Sequence, residues 1–529
     1  ISTAAAQGSL QRREWKFAAV LVTVVTISAL AVHGYHPYAE DGGPYMAGIK
    51  HVLDPSLYPH ASEFAVAHPR FSYFADTVAA LVRLSHLSLG LVLLLLHLAS
   101  IWATLFAAWH LAARCYAGRE ARVGAVTLLA VWLTLPIAGT SIFLMDPYVT
   151  ARSLSTPCGL LALVGLEAFL SSQEPGRTRR WQGLVLCCGS LAVAAVMHLL
   201  MAAYALGFVL VLGSQLSEKR AVRRWGAIGL PLLAVAMAWG IQVRSPGENA
   251  AYLQVQMTRS YWFLSDWAWY EQIGLAAPLT ILATVACKRR WWDETKIALA
   301  RTAVVCSLTA VVVALLFARA GAATHTVAWL QPLRIFQITY ILMILGLGAA
   351  LGERLLKRSV LRWAVVFCSL GGIMLFAGRQ TFPASTHLEL PKVPASNAWE
   401  RAFVWIRYNT PKEAFFALDP NYITKPGEDA QSFRAIAERS VLPDYSKDGG
   451  DAANSPRLAS AWVKAQAAQT RLSEKTDTQR LTALRPLGVD WVVLERSALT
   501  GFACDYANEA VKVCRLPLGA EQTAVASIR

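Results

Sequence analysis

The sequence predicts an α-helical polytopic membrane protein with a small α/β domain at its C-terminal end. The chain has 529 residues, of which 55% are hydrophobic and only 16% are charged, whereas a soluble domain carries about 25% charged residues. Four long runs contain no Asp, Glu, Lys or Arg: 84–113, 123–145, 181–217 and 225–243. Because roughly 20 apolar residues span the hydrocarbon core of a bilayer, each run can form at least one membrane helix.

The placement of the basic residues predicts the topology. Six clusters beside the apolar runs hold 22 Lys and Arg residues, while the loops between them hold seven. Cytoplasmic loops are enriched in Lys and Arg, so this alternation predicts about eleven spans, with the N-terminus inside and the C-terminus outside. The net charge of +15 therefore comes from basic loops beside membrane helices, and we expect no nucleic-acid partner. We expect a multi-pass protein of the bacterial cytoplasmic (inner) membrane.

The run 181–217 needs two helices. A single helix of this length would exceed the bilayer core, which is about 30 Å thick. Two short helices that turn near Met197 and His198 satisfy both the length and the alternation of basic loops. The alternative is a re-entrant hairpin, which is tolerated only where its tip is buried in protein or lines a cavity. His198 is then either a substrate-cavity residue or a hydrogen-bonded packing residue.

The chain divides into a membrane domain, 1–378, and an α/β domain outside the membrane, 379–529, which would be periplasmic. The first outer loop, 35–88, belongs to the membrane domain and carries interfacial helices. In the C-terminal part, apolar periodicity predicts two helices, two buried strands and one mobile loop: helices 399–408 and near 456–472, strands 414–418 and 490–494, and the loop 448–456. No nucleophile elbow, P-loop or dinucleotide motif occurs there, which favours a lid or docking module over a second catalytic domain.

Two cysteines, Cys504 and Cys514, lie in this outer domain and flank a short predicted hairpin. An oxidising compartment would allow them to form a disulfide, and the alternative is two unpaired thiols. No CxxC pair and no His/Cys cluster with zinc spacing occurs in the sequence, so we expect no structural metal.

The first outer loop is the most informative stretch. The acidic pair Glu40-Asp41 follows the first span, an aromatic residue follows at Tyr45, and a Tyr-Pro element follows at Tyr58-Pro59. These residues resemble the first outer loop of the GT-C superfamily of glycosyltransferases, including the dolichyl-phosphate-mannose mannosyltransferase-like members. The number of spans and the outer C-terminal domain resemble the same superfamily. The tail also looks like that of uncharacterised bacterial membrane proteins with this architecture.

The resemblance implies transfer of a sugar from a polyprenyl-phosphate donor to an acceptor on the outer face of the membrane. Inverting transfer needs a carboxylate that takes the proton of the acceptor. Asp41 is the candidate base, with Glu40 as its helper or alternate. The structural alternative is that an acidic side chain caps the helix that Pro44 begins.

The departing lipid phosphate carries negative charge, and arginine suits bidentate phosphate contact. The outward loops hold few arginines, so Arg152, Arg334 and Arg259 are the candidates for binding the donor phosphate. Their alternative role is to reach lipid headgroups from the span ends. Asp146 is a candidate cavity residue together with Tyr45 and His198, and capping of the next helix is its alternative.

The sequence favours an enzyme whose partners are a lipid-linked sugar donor and membrane lipids. The alternative function is a non-catalytic structural subunit of a larger membrane complex that retains the GT-C-like architecture. A divalent cation is an open question, since only Glu40, Asp41 and Asp146 could supply oxygen ligands.

Overall fold

The computed structural model describes residues 2–171, 177–287 and 293–517. The basic residues at 288–290, which formed part of one predicted inner cluster, lie outside these ranges. The described helices, in chain order, are α1 (Ser2–His33), α2 (Gly42–Leu53), α3 (Ser62–Ala65), α4 (Phe74–Ser85), α5 (Leu89–Cys115), α6 (Arg119–Val131), α7 (Ala151–Ser171), α8 (Arg177–Met197), α9 (Leu199–Gln215), α10 (Arg220–Arg224), α11 (Leu230–Arg244), α12 (Ala250–Met257), α13 (Trp269–Cys287), α14 (Glu294–Phe317), α15 (Thr326–Trp329), α16 (Phe336–Ala350), α17 (Val360–Thr381), α18 (Ala398–Asn409), α19 (Phe433–Ala437), α20 (Lys447–Asn454), α21 (Pro456–Gln469) and α22 (Asp477–Leu484).

Among the described residues, nine helical stretches are long and apolar enough to cross a membrane: Arg13–His33, Leu89–Cys115, Ala151–Ser171, Arg180–Met197, Arg220–Arg244, Trp269–Cys287, Glu294–Phe317, Thr326–Leu356 and Val360–Thr381. One further apolar helix in the described part of the chain, α9, is shorter. The chain is mostly helical and of the multi-pass type, but the uncharged run 123–145 is helical only up to Val131, and residues 132–145 form turns and irregular structure. The number of crossings and their direction stay predictions.

The predicted helix break falls at His198. Its backbone is extended, with φ −153° and ψ 93°, and its ring accepts a hydrogen bond from the Met201 backbone N–H at 3.4 Å, so His198 caps α9. α8 and α9 both pack against α7. Glycine allows the close approach of α7 to α8, because a Cβ at Gly165 would lie 2.6 Å from the Cys187 backbone nitrogen.

The chain forms two compact units. Unit 1 comprises 1–35, 93–248 and 259–378, and unit 2 comprises 36–92, 249–258 and 379–529. The last segment of unit 2 begins at Arg379, and the division into a membrane domain and an outer domain stays a prediction. Most of the first outer loop clusters with the C-terminal segment in unit 2.

Unit 2 contains a five-stranded mixed sheet. The strands are β1 (Phe415–Ala417), β2 (Ser440–Val441), β3 (Trp491–Glu495), β4 (Cys504–Ala507) and β5 (Val511–Arg515). Their order is β2-β1-β3-β5-β4, with β1 parallel to β2 and β3, and β5 antiparallel to β3 and β4. Both predicted strands and the predicted hairpin lie in this sheet, and a disulfide joins Cys504 to Cys514 across the hairpin.

Both faces of the sheet are covered, as successive side chains of a strand point to opposite faces. Phe416 faces a core that contains Trp399 and Phe403 of α18. Phe415 faces a second core that contains Ala465 of α21 and Leu484 of α22. The prediction of a small α/β arrangement near the C-terminus therefore agrees with the structure.

One local prediction is wrong: most of the segment 448–456 lies in α20 and is not a mobile loop. Two glycines make an isolated helix here unfavourable by about 1 kcal/mol each relative to alanine. Buried ion pairs compensate for them, because Asp448 and Asp451 are almost fully buried and each has a basic partner within unit 2.

Candidate functional site

The acidic pair lies at the start of α2 in unit 2. Asp41 occupies the N-cap position, and Glu40 has a left-handed backbone with φ 46°. The glycine at position 43 is required by packing, since a Cβ there would lie 2.2 Å from the Cβ of Ser432. The first turn of α2 therefore packs closely against the C-terminal part of unit 2. This packing places both acidic side chains beside that part of the chain.

Lys447 is the partner of the acidic pair. Its ammonium group donates to Oδ1 of Asp41 at 3.2 Å and also contacts the carboxylate of Glu40. The lysine side chain is only 15% exposed, whereas Glu40 is 49% and Asp41 31% exposed. Burial lowers the pKa of Lys447, but the two carboxylates more than offset this effect and the net pKa is raised. A largely buried cation thus holds two carboxylates that solvent can still reach.

The capping alternative for Asp41 does not describe the observed geometry. Asp41 stands at the N-cap, yet its side chain makes no capping hydrogen bond to the first turn of α2. Its backbone carbonyl accepts from the Tyr45 N–H at 3.3 Å, as any first helical turn requires. The carboxylate is thus turned toward Lys447 and is not used to begin the helix.

The helix that carries Lys447 is held by buried charges. Arg434 donates two hydrogen bonds to Asp448, at 2.6 and 2.8 Å, and both side chains are less than 10% exposed. Asp444 precedes the helix and accepts from the Lys447 backbone N–H at 2.6 Å. Burial and the neighbouring Asp448 raise the pKa of Asp444. These contacts fix the first turn of α20 and therefore the position of the Lys447 side chain.

A histidine from the first outer loop anchors the next turn of α20. Nδ1 of His68 lies 3.0 Å from Oδ1 of Asp451. Burial lowers the pKa of His68, but Asp451 and then Asp41 raise it, and the net direction is upward. Tyr45 is buried and meets the His68 ring edge-on, with 4.5 Å between ring centres. Tyr45, which we predicted as a cavity residue, therefore packs against His68. His68 in turn pairs with Asp451 of α20.

A second polar cluster of unit 2 surrounds His36. Its Nδ1 lies 2.7 Å from Oε1 of Glu389, and Phe382 stacks on the ring at 4.0 Å. Within the described part of the chain, Nε2 of His36, Oε2 of Glu389 and Oε1 of Glu400 are buried without a hydrogen-bond partner. Burial lowers the pKa of His36 to about 4 and raises those of Glu389 and Glu400 to about 8 and 9. The cluster therefore carries no net positive charge near neutral pH.

In unit 1, Asp146 and Arg152 form a buried ion pair. One terminal nitrogen of the Arg152 guanidinium donates to Oδ2 of Asp146, and the two side chains are only 6% and 3% exposed, in that order. Thr150 and Ser153 cap the start of α7 with reciprocal backbone-to-hydroxyl hydrogen bonds. Asp146 is therefore not the cap of that helix, and Arg152 does not extend toward headgroups.

Arg334 lies at a small pocket of unit 1. The pocket is lined by Thr140, Tyr261, Trp262, Ala314, Gln331, Pro332, Leu333 and Arg334, with a cavity volume of about 10 Å³. A cavity of this size holds about one water molecule. Among the described residues, Nε1 of Trp262 and Oε1 of Gln331 are buried without a hydrogen-bond partner. Two residues of the Arg334 pocket thus carry a buried donor and a buried acceptor.

The remaining candidates in unit 1 are Arg259 and His198. Arg259 is 5% exposed and precedes the short helical turn Ser260–Trp262, where its carbonyl accepts from the Trp262 N–H at 2.9 Å. It thus lies one turn before a residue of the Arg334 pocket. His198 caps α9, which agrees with the packing alternative for that residue.

The candidate oxygen ligands do not fit a divalent cation in this arrangement. Glu40 and Asp41 contact Lys447, and Asp146 contacts Arg152, so each carboxylate already faces a cation. Among residues 2–171, 177–287 and 293–517, no three His, Cys, Asp or Glu side chains are close enough together to hold a metal ion.

Sequence reasoning missed Lys447, Arg434 and His68. One signal could have identified α20: the acids at positions 444, 448 and 451 are spaced by four and three residues, which is the period of a helix. The two glycines and the polar composition of the segment concealed this period. Nothing local indicates that position 434 or position 68 would pair with these acids.

Comparison with known proteins yields only remote matches. No protein-family model matches the chain, and neither does any curated protein. Two solved structures of the Archaeoglobus fulgidus oligosaccharyltransferase align with it, one in complex with Zn and sulfate and one in the apo form. The first has 11% identity and a TM-score of 0.44, covering 90% of this chain and 68% of that chain. The second has 11% identity and a TM-score of 0.47, covering 90% and 69%. Similarity at this level carries no argument about activity, substrate or metal.

Proposed function

We propose that this chain is a membrane glycosyltransferase of the GT-C type, which moves a sugar from a polyprenyl-phosphate donor to an acceptor at the outer face of the bacterial cytoplasmic membrane. The observation that carries the proposal is the acidic pair of α2. Its two carboxylates remain accessible to solvent while a largely buried lysine holds them in place. A base must be both fixed and reachable, and these groups satisfy both conditions.

In the proposed reaction, the carboxylate of Asp41 accepts the proton of the acceptor group as that group attacks the anomeric carbon. The bond from that carbon to the donor phosphate oxygen breaks, and the electron pair leaves with the polyprenyl phosphate. Lys447 positions the carboxylate through its ammonium group. Glu40 shares the lysine and serves as the helper of Asp41.

The test uses purified full-length protein in vesicles that contain a labelled polyprenyl-phosphate sugar and a membrane extract as the source of acceptor. Replacing Asp41 with Asn should lower transfer by about 10²–10⁴-fold, the usual contribution of a general base. Glu63→Gln is the matched control, since Glu63 is an exposed acid of the same outer loop, and it should leave transfer unchanged. Unchanged transfer by the Asp41 variant would remove this residue from the mechanism.

Arg334 is our candidate for the phosphate of the donor. Arg334 lines a pocket together with Trp262 and Gln331, each of which has a buried polar atom without a hydrogen-bond partner among the described residues. The pocket must open before a phosphate can enter, because it now holds about one water molecule. Arg334→Ala should raise the KM for the donor more than it lowers kcat, and Arg319→Ala, which removes an exposed arginine of the same unit, should change neither. Equal effects of both variants would contradict the assignment.

One observation favours the alternative function, a non-catalytic subunit of a larger membrane complex. Both carboxylates of the acidic pair contact Lys447, so the pair can also be a purely structural ion cluster. The two functions differ in one measurement. A wild-type protein that co-purifies with other membrane subunits, and shows no transfer until they are added, would support the subunit.

The topology that we propose places the C-terminal segment in the periplasm. Reporter fusions after Arg224 and after Arg515 distinguish the two sides of the membrane. We expect the first fusion to report the cytoplasm and the second the periplasm, because the basic clusters alternate along the chain. The opposite assignment would place Asp41 on the inner face and end the transferase proposal.

A further inference from the structure

One buried acid–base pair of unit 1 has no part in the sites described above. Glu248 follows α11 and His325 directly precedes α15, and their side chains are 8% and 1% exposed. The carboxylate contacts His325 twice: Oε1 accepts from its backbone N–H at 2.7 Å, and Oε2 lies 2.7 Å from Nδ1 of its ring. This pair, the Glu248–His325 pair, therefore fixes both the backbone and the ring of the histidine.

The second ring nitrogen determines how many protons the pair holds. Nε2 of His325 lies 3.0 Å from the carbonyl oxygen of Ala320, and a carbonyl oxygen can only accept, so Nε2 carries a hydrogen. A proton must also lie between Nδ1 and Oε2, because a ring lone pair and an ionised carboxylate would repel each other at 2.7 Å. The pair is therefore complete only with this shared proton, either as imidazolium and carboxylate or as imidazole and carboxylic acid.

Hydrogen-bonded turns connect His325 to Arg334. The His325 carbonyl accepts the first helical hydrogen bond of α15 at 2.8 Å. α15 leads directly to Gln331, whose carbonyl accepts from the Arg334 N–H at 3.0 Å and from the hydroxyl of Tyr204 in α9 at 3.0 Å. The turns between the Glu248–His325 pair and the Arg334 pocket are therefore continuous, and a change at one end displaces the other.

We propose that Glu248 and His325 are positioning residues for the donor phosphate, which hold Arg334 in place only while they share a proton. This inference rests on the proposed function, which assigns Arg334 to the phosphate. Loss of the shared proton turns a ring lone pair of His325 toward the carboxylate, so the pair separates and the segment that ends at Arg334 loosens. Donor binding is then weaker at alkaline pH, although Arg334 keeps its charge.

The surroundings of the pair keep their charge near neutral pH. Phe263 meets the His325 ring edge-on, with 5.6 Å between ring centres. The charged residues nearest to the pair along its two segments are Arg244 and Arg319, which are exposed and stay protonated. Replacing the Glu248 carboxylate with an amide leaves all of these neighbours in place, so this variant isolates the shared proton.

The test is the binding of a labelled long-chain polyprenyl monophosphate to the full chain in lipid nanodiscs, at about pH 6 and about pH 9. In Glu248→Gln the amide oxygen accepts from the His325 backbone and the amide nitrogen donates to Nδ1, so both contacts persist without the shared proton. The two proteins should bind equally at the lower pH. At the higher pH the wild type should bind about tenfold more weakly than Glu248→Gln, since it has lost a charge-assisted hydrogen bond. Comparison at one pH cancels the titration of the phosphate itself.

Glu248→Ala removes both contacts and should bind weakly at both pH values. Asp266→Asn replaces an exposed acid of unit 1 and should behave as the wild type. Hydrogen exchange of peptides that cover residues 320–335 reports the segment itself and should follow the same order. Equal binding by the wild type and Glu248→Gln at about pH 9, or weak binding by Glu248→Gln at both pH values, would overturn the positioning role. If Arg334→Ala binds as the wild type while the exchange keeps its pH dependence, the phosphate assignment of the proposed function is refuted, and the role of the pair in donor binding with it.

Discussion

Two ion clusters of this protein contain acids that the sequence singles out, and they differ mainly in exposure. In unit 2, the side chains of Glu40 and Asp41 are 49% and 31% exposed and contact a lysine that is 15% exposed. In unit 1, Asp146 is 3% exposed and its partner Arg152 6%. A carboxylate that keeps contact with water can meet a substrate, whereas a fully buried pair can only support the fold. The comparison therefore favours Asp41 over Asp146 as a reactive group.

The largest expected effect is on the buried pair of unit 1. Replacing Arg152 with Ala leaves the Asp146 carboxylate buried without its cation, which should lower the free energy of unfolding by about 3–5 kcal/mol. Denaturant unfolding in detergent measures this change. Arg319→Ala removes an exposed arginine and should change stability by no more than about 0.5 kcal/mol. A loss below 1 kcal/mol for Arg152→Ala would mean that the pair is hydrated and would end the contrast between the two clusters.

The next effect concerns the helix that carries Lys447. Asp448→Asn removes one charge of the buried pair with Arg434, and we expect a loss of about 3 kcal/mol. Hydrogen exchange of the backbone amides of α20 should accelerate, because the helix depends on this pair. Asp505→Asn is the control, since Asp505 forms an exposed pair with Arg515 that contributes about 1 kcal/mol at most. Slow exchange in Asp448→Asn would show that α20 does not need the ion pair.

The His36 cluster predicts a loss of stability at alkaline pH. The pKa values of Glu389 and Glu400 are raised to about 8 and 9 by burial and by neighbouring carboxylates, so the folded chain holds their protons more tightly than the unfolded chain. Their contribution is complete below pH 4.5, the ordinary value, and is lost as the pH rises toward 9. His36, with a pKa lowered to about 4, acts in the opposite sense only between pH 4 and 6.5.

Stability of this region should therefore fall between pH 6.5 and 9, which hydrogen exchange of peptides covering residues 384–400 would report. A variant with both Glu389→Gln and Glu400→Gln should lose this pH dependence, because an amide does not titrate in that range. An unchanged profile in the double variant would assign the alkaline loss to other groups.

The smallest expected effect on stability is at Lys447 itself. Lys447→Met leaves two carboxylates that water already reaches, so the loss should be about 1 kcal/mol or less. Transfer activity should nevertheless fall, because Asp41 loses the group that positions it. Arginine in place of Lys447 should restore part of the activity, since it keeps the charge. A stability loss above about 3 kcal/mol would mean that the acidic pair supports the fold in the same way as Asp146 and Arg152.

The fold was more predictable than the site. Three of the four uncharged runs are largely helical, and the fourth, 123–145, is helical only up to Val131. The strands at 415–417 and 491–495 lie within one residue of their predicted bounds, because hydropathy and periodicity are properties of neighbouring residues. The helix α20 was missed, since its local composition disfavours a helix and only distant partners stabilise it. Asp41 was identified from its neighbours in the loop, but Lys447, which holds it, was not.

The sequence by itself determined that this chain has many apolar helices, a small sheet near its C-terminal end and an acidic pair after the first span. These features follow from the hydropathy and the periodicity of residues that are neighbours in the sequence. Only the tertiary structure decided which charges meet: Lys447 and Asp41 are separated by 406 positions in the chain. Coulombic attraction depends on the distance between two groups and on their exposure to water, and neither quantity can be calculated from the order of the residues alone.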